Sequence, residues 1–352
     1  MDLSLTWEQQ KLKDTLERAC AGKGGWRALW KRLAELGVAG LTVAADAEGA
    51  GAGGTEAMIA AEALGRANAA APFIDCTVLA AGLLDEAGSP AQRKAHLPAV
   101  AAGAKLVAFA HGEREGRFDP AAVSTRATRK GGVWALDGHK DVVPWGDAAD
   151  LLVVSARADA DIGLYLVDPK APGVRVRGYP TVDGHRAAEI ALAGVAGERL
   201  PGGGEPAVVR ALDRAAAAAV AEAAGAMQAL YGLTLAYAKQ RRQFCQAIGA
   251  FQAVQHRLVE MFMAVEGARS MAALAAIAAE SADASARARD VSAAKAHMGQ
   301  WGRYVAQQAV QLHGAIAMTD EYPVGRYFKR LTALELLYGD ADWHRRRFAA
   351  LT

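Results

Sequence analysis

Four groups of residues in this chain have types and spacing that could do chemistry. The run Tyr237-Ala-Lys-Gln-Arg241-Arg-Gln243-Phe244-Cys-Gln-Ala-Ile248-Gly-Ala-Phe251-Gln252-Ala-Val-Gln-His256 sets a guanidinium, an amide and an aromatic ring side by side. A planar guanidinium can grip two oxygens of an anionic group at once, a fit that a lysine ammonium does not reproduce. The same residues would also make an ordinary solvated helix end. A second group, Gln311-Leu-His-Gly314-Ala315 followed by Glu321-Tyr-Pro323 and Arg326, again joins polar side chains to a flexible backbone. In the third, Gly49, Gly51 and Gly54 match GxGxxG, with Asp75 about twenty residues on. That pattern holds a dinucleotide only inside a parallel βαβ unit, and the sequence after it is helical through Leu84 without a second strand. The fourth is the pair Asp340 and Asp342 near His344 and Arg345, either a proton acceptor or a surface acid paired with its basic neighbours.

The elements that must position these groups fall into three stretches. From Ser4 to Ala104 the pattern is helical: Leu12, Leu16 and Cys20, then Trp26, Leu29, Leu33 and Leu36, recur at spacings of three and four. Gly49 to Gly54 is a turn, and Ser89-Pro90 restarts a helix with Ser as its cap. Over 105–205 the period shortens. VWALDG, DLLVVSAR, IGLYLVD, GVRVRGY and AAEIALAG are short β-rich runs divided by Asp-Gly and Pro-Gly turns, which predicts a small barrel or sandwich. After the linker Leu200-Pro-Gly-Gly-Gly-Glu-Pro206, helical periodicity returns over 206–352, with Val254, Leu258, Met261, Phe262, Val265, Ala268 and Ala272 as one apolar stripe of a bundle helix. The expected fold is therefore mainly α with an inserted β domain: helical domain 1–104, β domain 105–205, helical bundle 206–352.

Bulk properties narrow the function. A net charge of +2, from 40 basic and 38 acidic residues, gives no long-range field for nucleic acid or an anionic membrane. Three cysteines, Cys20, Cys76 and Cys245, make no CxxC pair and are odd in number, which points to a reducing compartment and a cytoplasmic location. The start MDLSLTWEQQKLKD does not read as a signal peptide, and the Ala-rich runs, interrupted by Glu222 or Glu280, do not read as membrane spans.

The run from Tyr237 to His256, with the second segment behind it, resembles the signatures of the acyl-CoA dehydrogenase family. The likeness extends along the chain, from Gly40-Leu-Thr-Val43 and Glu62-Ala-Leu-Gly65-Arg66 to Asp137-Gly-His-Lys140. From Val154-Ser-Ala-Arg157 through Ile162 to Asp168, Ala171-Pro-Gly-Val174, Gly178-Tyr-Pro-Thr181 and Asp183-Gly184, it is similar to the small-subunit branch that includes that of pimeloyl-CoA dehydrogenase. The resemblance implies an acyl-CoA substrate, FAD as cofactor and an electron-transferring flavoprotein as electron acceptor. It also implies that Arg241, Gln243 and Phe244, with Gln311, Gly314 and Ala315, meet the FAD of a neighbouring subunit. Two departures touch this role: Cys245 and Ala315 stand where the family commonly has glycine.

The same resemblance exposes what is missing. The family removes a proton from the thioester α-carbon with a Glu while the β-hydride passes to the flavin. Its Tyr-Glu-Gly-Thr segment aligns with Tyr338-Gly339-Asp340-Ala341, and an alternative station aligns with Asp213-Arg214-Ala215-Ala216, so Gly339 and Ala215 occupy both places. The family's flavin-stacking Met-Trp-Ile-Thr segment aligns with Asp141-Val142-Val143-Pro144, and its hydroxyl-bearing loop aligns with His111 to Asp119. The expectation is a subunit of an α2β2 heterotetramer that contributes to a homologous catalytic subunit's FAD site. Two alternatives stay open: a self-sufficient homotetramer using Asp340 as relocated base, and a non-enzymatic acyl-CoA-binding or assembly protein.

Overall fold

The computed structural model of the chain describes residues 5–22 and 24–352. Residues 1–4, including Ser4, and Lys23 lie outside the described residues. In chain order the helices are α1 (Trp7–Cys20), α2 (Trp26–Glu35), α3 (Gly54–Ala67), α4 (Gly82–Ala87), α5 (Pro90–Ala101), α6 (Glu205–Gln240), α7 (Gln252–Ala279), α8 (Ala284–His313), α9 (Val324–Leu336) and α10 (Ala341–Ala349). The strands are β1 (Val107–Ala110), β2 (Arg126–Lys130), β3 (Val133–Pro144), β4 (Leu151–Ala158), β5 (Asp161–Val167), β6 (Val174–Pro180) and β7 (Arg186–Arg199), then two short strands, β8 (Arg242–Gln243) and β9 (Gln246–Ala247).

Compactness groups these segments differently from their linear order: of the described residues, 5–22, 54–69 and 216–352 form one unit, and 24–53 with 70–215 a second. In the first, α1 starts with a reciprocal cap, Thr6 Oγ1 accepting from the Gln9 backbone N–H while the Gln9 side chain accepts from Thr6 N–H. Two glycines bring α3 against α6. A Cβ on Gly65 would lie 1.8 Å from the Glu222 carbonyl oxygen, and one on Gly225 2.1 Å from that of Glu62, so only glycine permits this approach. Glu222 reaches the other way, taking two hydrogen bonds from the buried Arg330 guanidinium of α9 at 2.6 and 2.9 Å. On α7, Leu258, Met261, Val265, Ala268 and Ala272 are buried as the periodicity requires. Phe262, read as part of that stripe, is instead 48% exposed, because it sits one residue past the buried Met261. By length and hydropathy alone α7 could cross a membrane; it packs against α3 and α8 as a bundle helix.

The second unit carries the sheet. β3, β7, β5, β4 and β2 pair in a closed ring, with β1 added on β4 and β6 on β7. Most pairs are antiparallel, but β4 pairs in parallel with β1 and β2, and these last two strands have no counterpart among the five β-rich runs read from sequence. β4 is buried along nearly its whole length, which suits its continuous apolar run. Its Leu152 and Val154 fill the barrel with Leu136, Tyr165, Ile190 and Val195. Ser89 caps α5 as expected, with Pro90 in the first turn. Phe73–Ala81, expected as ordinary helix, is wound as a wide π-helix.

Gly49, Gly51 and Gly54 have structural uses. Gly49 packs so tightly that a Cβ would lie 2.1 Å from the Val43 carbonyl oxygen, and Gly51 N–H donates to the same carbonyl at 2.8 Å. Asp75, the acid that completes the GxGxxG pattern, is buried and accepts from Trp145 Nε1 at 3.1 Å. Of the cysteines, Cys20 and Cys76 are buried free thiols and Cys245 is exposed.

Candidate functional site

Three places hold the residues singled out from sequence. The first is at the C-terminal ends of α6 and α8. Tyr237 and His313 stack with ring centroids 4.3 Å apart, Tyr237 Oη donates to the His313 carbonyl at 3.4 Å, and Tyr322 packs on the His313 ring at 5.1 Å. This aromatic junction brings the turn after Tyr237 and the end of α8 into one region, so Arg241, Gln243 and Phe244 share it with Gln311, Gly314 and Ala315. All six are exposed. The Arg241 guanidinium makes no hydrogen bond or ion pair with another described residue. Phe244, 86% exposed, and Cys245 are both in the left-handed region, at φ 51° and 65°, conformations that non-glycine residues adopt at a cost. The strained turn leaves the Phe244 ring largely exposed, with one edge-on contact to Phe251 at a centroid distance of 6.2 Å. Gly314 ends α8 at φ 69° with open space where a Cβ would stand. His313, beneath, donates from Nδ1 to the Ala309 carbonyl at 2.8 Å, and burial lowers its pKa.

The second place is the cavity of about 690 Å³ in the β unit, lined among others by Glu113, Ser124, His139, Asp141, Arg157 and Arg177. Several of its polar groups are already paired. Glu113 accepts from Ser124 N–H and Oγ, from Thr125 N–H and Oγ1, and from the fully buried Lys140 at 2.7 Å. Burial alone would raise the Glu113 carboxyl, but Lys140 and the two hydroxyls outweigh it and hold it at about 2. Burial brings Lys140 down to about 8 against the pull of Glu113, and takes His111, whose Nδ1 lies 2.9 Å from Ser155 Oγ, down to about 3. Arg157 donates to the Val123, Ala160 and Ala121 carbonyls, Arg177 pairs with Glu189, and His139 with Asp141. Val142, where the resemblance expects a stacking ring, is a β-branched residue at φ 48° on a bulge of β3.

The third place is the turn between α9 and α10. Tyr338 and Gly339 are left-handed at φ 60° and 107°. Asp340 is the N-cap of α10, its Oδ1 accepting the Trp343 backbone N–H at 2.8 Å. Lys295, fully buried on α8, donates to the carbonyls of Glu335 at 2.9 Å and Gly339 at 2.7 Å, and burial lowers its pKa to about 7. His344 bridges the Tyr338 carbonyl, at 3.0 Å from Nε2, and Ser292 Oγ, at 3.2 Å from Nδ1. Burial and then the Lys295 charge bring it to about 3. The Glu335 carboxylate is taken by Arg303. Ala215, the other station, is fully buried in α6. Sequence reasoning passed over Lys295, Glu113 and the locking role of His344, because each acts through contacts that residue type alone does not show.

FAD fits these places unequally. The exposed Arg241 guanidinium suits a phosphate, and the exposed Phe244 ring an adenosine, arriving from outside the chain. The β cavity does not suit an isoalloxazine held in the family's usual way, since the hydroxyls of Ser124 and Thr125 are committed to Glu113.

Helical segments enclosing a small β-barrel domain in sequence define the fold of the acyl-CoA dehydrogenases. Models of that family's N-terminal, middle and C-terminal domains match residues 8–104, 108–195 and 202–351. The acyl-CoA dehydrogenase FadE27 of Mycobacterium tuberculosis is 30% identical over 359 residues, covering 99% of this chain and 92% of that one. Among solved structures, a Tcur3481-Tcur3483 steroid ACAD variant superposes with a TM-score of 0.88 at 30% identity, covering 98% of this chain and 97% of that one. The ChsE4-ChsE5 complex from Mycobacterium tuberculosis does so with 0.89 at 26% identity, covering 99% and 98%. The chain belongs to the acyl-CoA dehydrogenase family, whose reaction is FAD-dependent dehydrogenation of acyl-CoA thioesters.

Proposed function

We propose that this chain is the subunit without a proton-abstracting base in a heterotetrameric acyl-CoA dehydrogenase, and that it acts with a homologous subunit that has the base. One observation carries the reading: at the turn matched to the family's base, position 339 has no side chain and the neighbouring acid, Asp340, is engaged as a helix cap. General-base catalysis needs a proton acceptor beside the α-carbon, and neither Gly339 nor the buried Ala215 is one. Arg241, Gln243, Phe244, Gln311, Gly314 and Ala315 then serve the partner's FAD, Arg241 as the diphosphate clamp. FAD held there would supply the hydride acceptor, and Arg241 would hold its phosphates. Two solved relatives whose names join two proteins, Tcur3481-Tcur3483 and ChsE4-ChsE5, support a two-chain assembly.

Under this reading the electrons leave to an electron-transferring flavoprotein, the substrate is an acyl-CoA of the kind taken by the small-subunit branch, and the free thiols of Cys20, Cys76 and Cys245 suit a reducing cytoplasm. The test is expression of the chain alone and together with its homologous partner. The chain alone is expected to be colourless and inactive, and the co-expressed complex yellow and active. A yellow, active lone chain overturns the proposal, and activity lost on Asp340→Asn with the fold intact would then assign the base to Asp340.

A further inference from the structure

The turn between α9 and α10 is built of backbone groups facing inward. Its Gly339 carbonyl, with that of Glu335, meets the Lys295 ammonium, and its Tyr338 carbonyl meets His344 Nε2. These contacts require two successive left-handed residues, Tyr338 and Gly339. A Cβ added to Gly339 would lie 2.7 Å from His344 Nε2 and 2.8 Å from Trp343 Cε3, closer than real Cβ contacts come.

Neither neighbour is free to yield. A carbonyl only accepts, so the Nε2 that faces Tyr338 carries the imidazole proton, and Nδ1 is left to accept from the Ser292 hydroxyl. That fixes the ring at both ends while it is buried. Trp343 packs edge-on against it, with centroids 4.7 Å apart. Behind them α10 starts hard against α8: a Cβ on Gly299 would lie 2.9 Å from that of Ala341, so α10 has no slack with which to retreat.

We infer that this turn is closed to any side chain at position 339, with Lys295 and His344 as the positioning residues that hold it closed, so that one substitution cannot return a base there. The consequence for catalysis rests on the subunit reading above; the closure of the turn does not. Loss of the acid and remodelling of its surroundings are on this view one structural change, and the ammonium and imidazole hold carbonyls in a turn that no side chain at 339 can enter.

The test uses the full-length chain. Thermal unfolding of wild type, Gly339→Ala, His344→Ala and the double variant is expected to show Gly339→Ala lowering Tm by roughly 5 °C or more, from left-handed strain plus the clash. The double variant should fall by less than the two single falls added, because removing the imidazole removes one of the two obstacles. ¹⁵N NMR of wild type should show His344 protonated on Nε2 and bare on Nδ1 from pH 5 to 8, a signature that mere packing would not set. Gly339→Glu should lower Tm at least as far as Gly339→Ala. The inference is overturned by Gly339→Ala melting with wild type, by additive falls, by a bare Nε2, or by Gly339→Glu melting with wild type. If Gly339→Ala does not accumulate folded, the wild-type tautomer decides. Activity of the wild-type lone chain would overturn the subunit reading instead, leaving the melts and the tautomer to judge the closure.

Discussion

Replacing Asp340 separates a capping acid from a proton-abstracting one. Its Oδ1 accepts the Trp343 N–H at 2.8 Å, and its charge sits at the N-terminus of α10. Asp340→Ala loses the cap, about 1 kcal/mol, and the favourable interaction with the helix dipole, about 0.5 kcal/mol. At roughly 2–4 °C per kcal/mol for a large domain, that is a Tm about 3–6 °C lower. Asp340→Asn keeps an oxygen acceptor in the capping position and loses only the charge, so its Tm should fall by about 1–2 °C. Neither change should touch turnover by the assembled complex beyond what the lost stability explains. Calorimetry gives the melts, and dye-linked oxidation of an acyl-CoA by the purified complex gives the rate. If Asp340→Asn removed turnover by a hundredfold or more while melting close to wild type, Asp340 would be the base and the capping argument would fail.

Further outcomes follow from the same contacts. His111 and His344 are both held neutral, near 3 against an ordinary 6.5. The unfolded chain therefore takes up protons below pH 6.5 that the folded chain refuses, so stability present above that pH is lost as pH falls, by about 2 kcal/mol per histidine between pH 7 and 5. Urea unfolding should show this, and His344→Gln should remove its share of about 2 kcal/mol; Glu113, held near 2, adds its own loss only below about pH 4.5. Arg241→Ala should lower the FAD content of the co-expressed complex while moving the chain's own melt little, as surface substitutions fall within about 0.5 kcal/mol; unchanged FAD content would remove Arg241 from the cofactor site. Glu222→Ala leaves the Arg330 cation buried without its bidentate partner and should cost about 3–5 kcal/mol in urea unfolding, whereas a loss under 1 kcal/mol would mean that water or another acid replaces it.

Periodicity carried the parts of this fold in which a local pattern decides the outcome. Leu258, Met261, Val265, Ala268 and Ala272 recur at three and four and are buried, and Ser89-Pro90 starts a helix as its cap chemistry requires. Phe262 misled because apolarity alone does not choose a helix face; it lines an open apolar groove with Tyr231, Leu235 and Val259. β1 and β2 were missed for a different reason: β1 is a four-residue run buried throughout and β2 a charged strand, so neither shows an alternation. The exposed groups on the α6 and α8 termini were legible because residue type there stands for chemistry directly, and their shared region follows from Tyr237 stacking on His313. What sequence could not show is how polar groups are spent. Whether Ser124 faces a ligand or Glu113, and whether position 339 is merely empty or closed, depends on pairs such as Lys295 with Gly339, joined only by the fold.

The central claim is that this chain brings FAD-contacting residues but no base. It is tested most directly by purifying the chain by itself, adding FAD and an acyl-CoA, and recording the flavin absorbance and its bleaching. No retained flavin and no bleaching are expected until the homologous subunit is co-expressed; stable flavin that bleaches with acyl-CoA in the lone chain would mean that this chain holds its own cofactor and base.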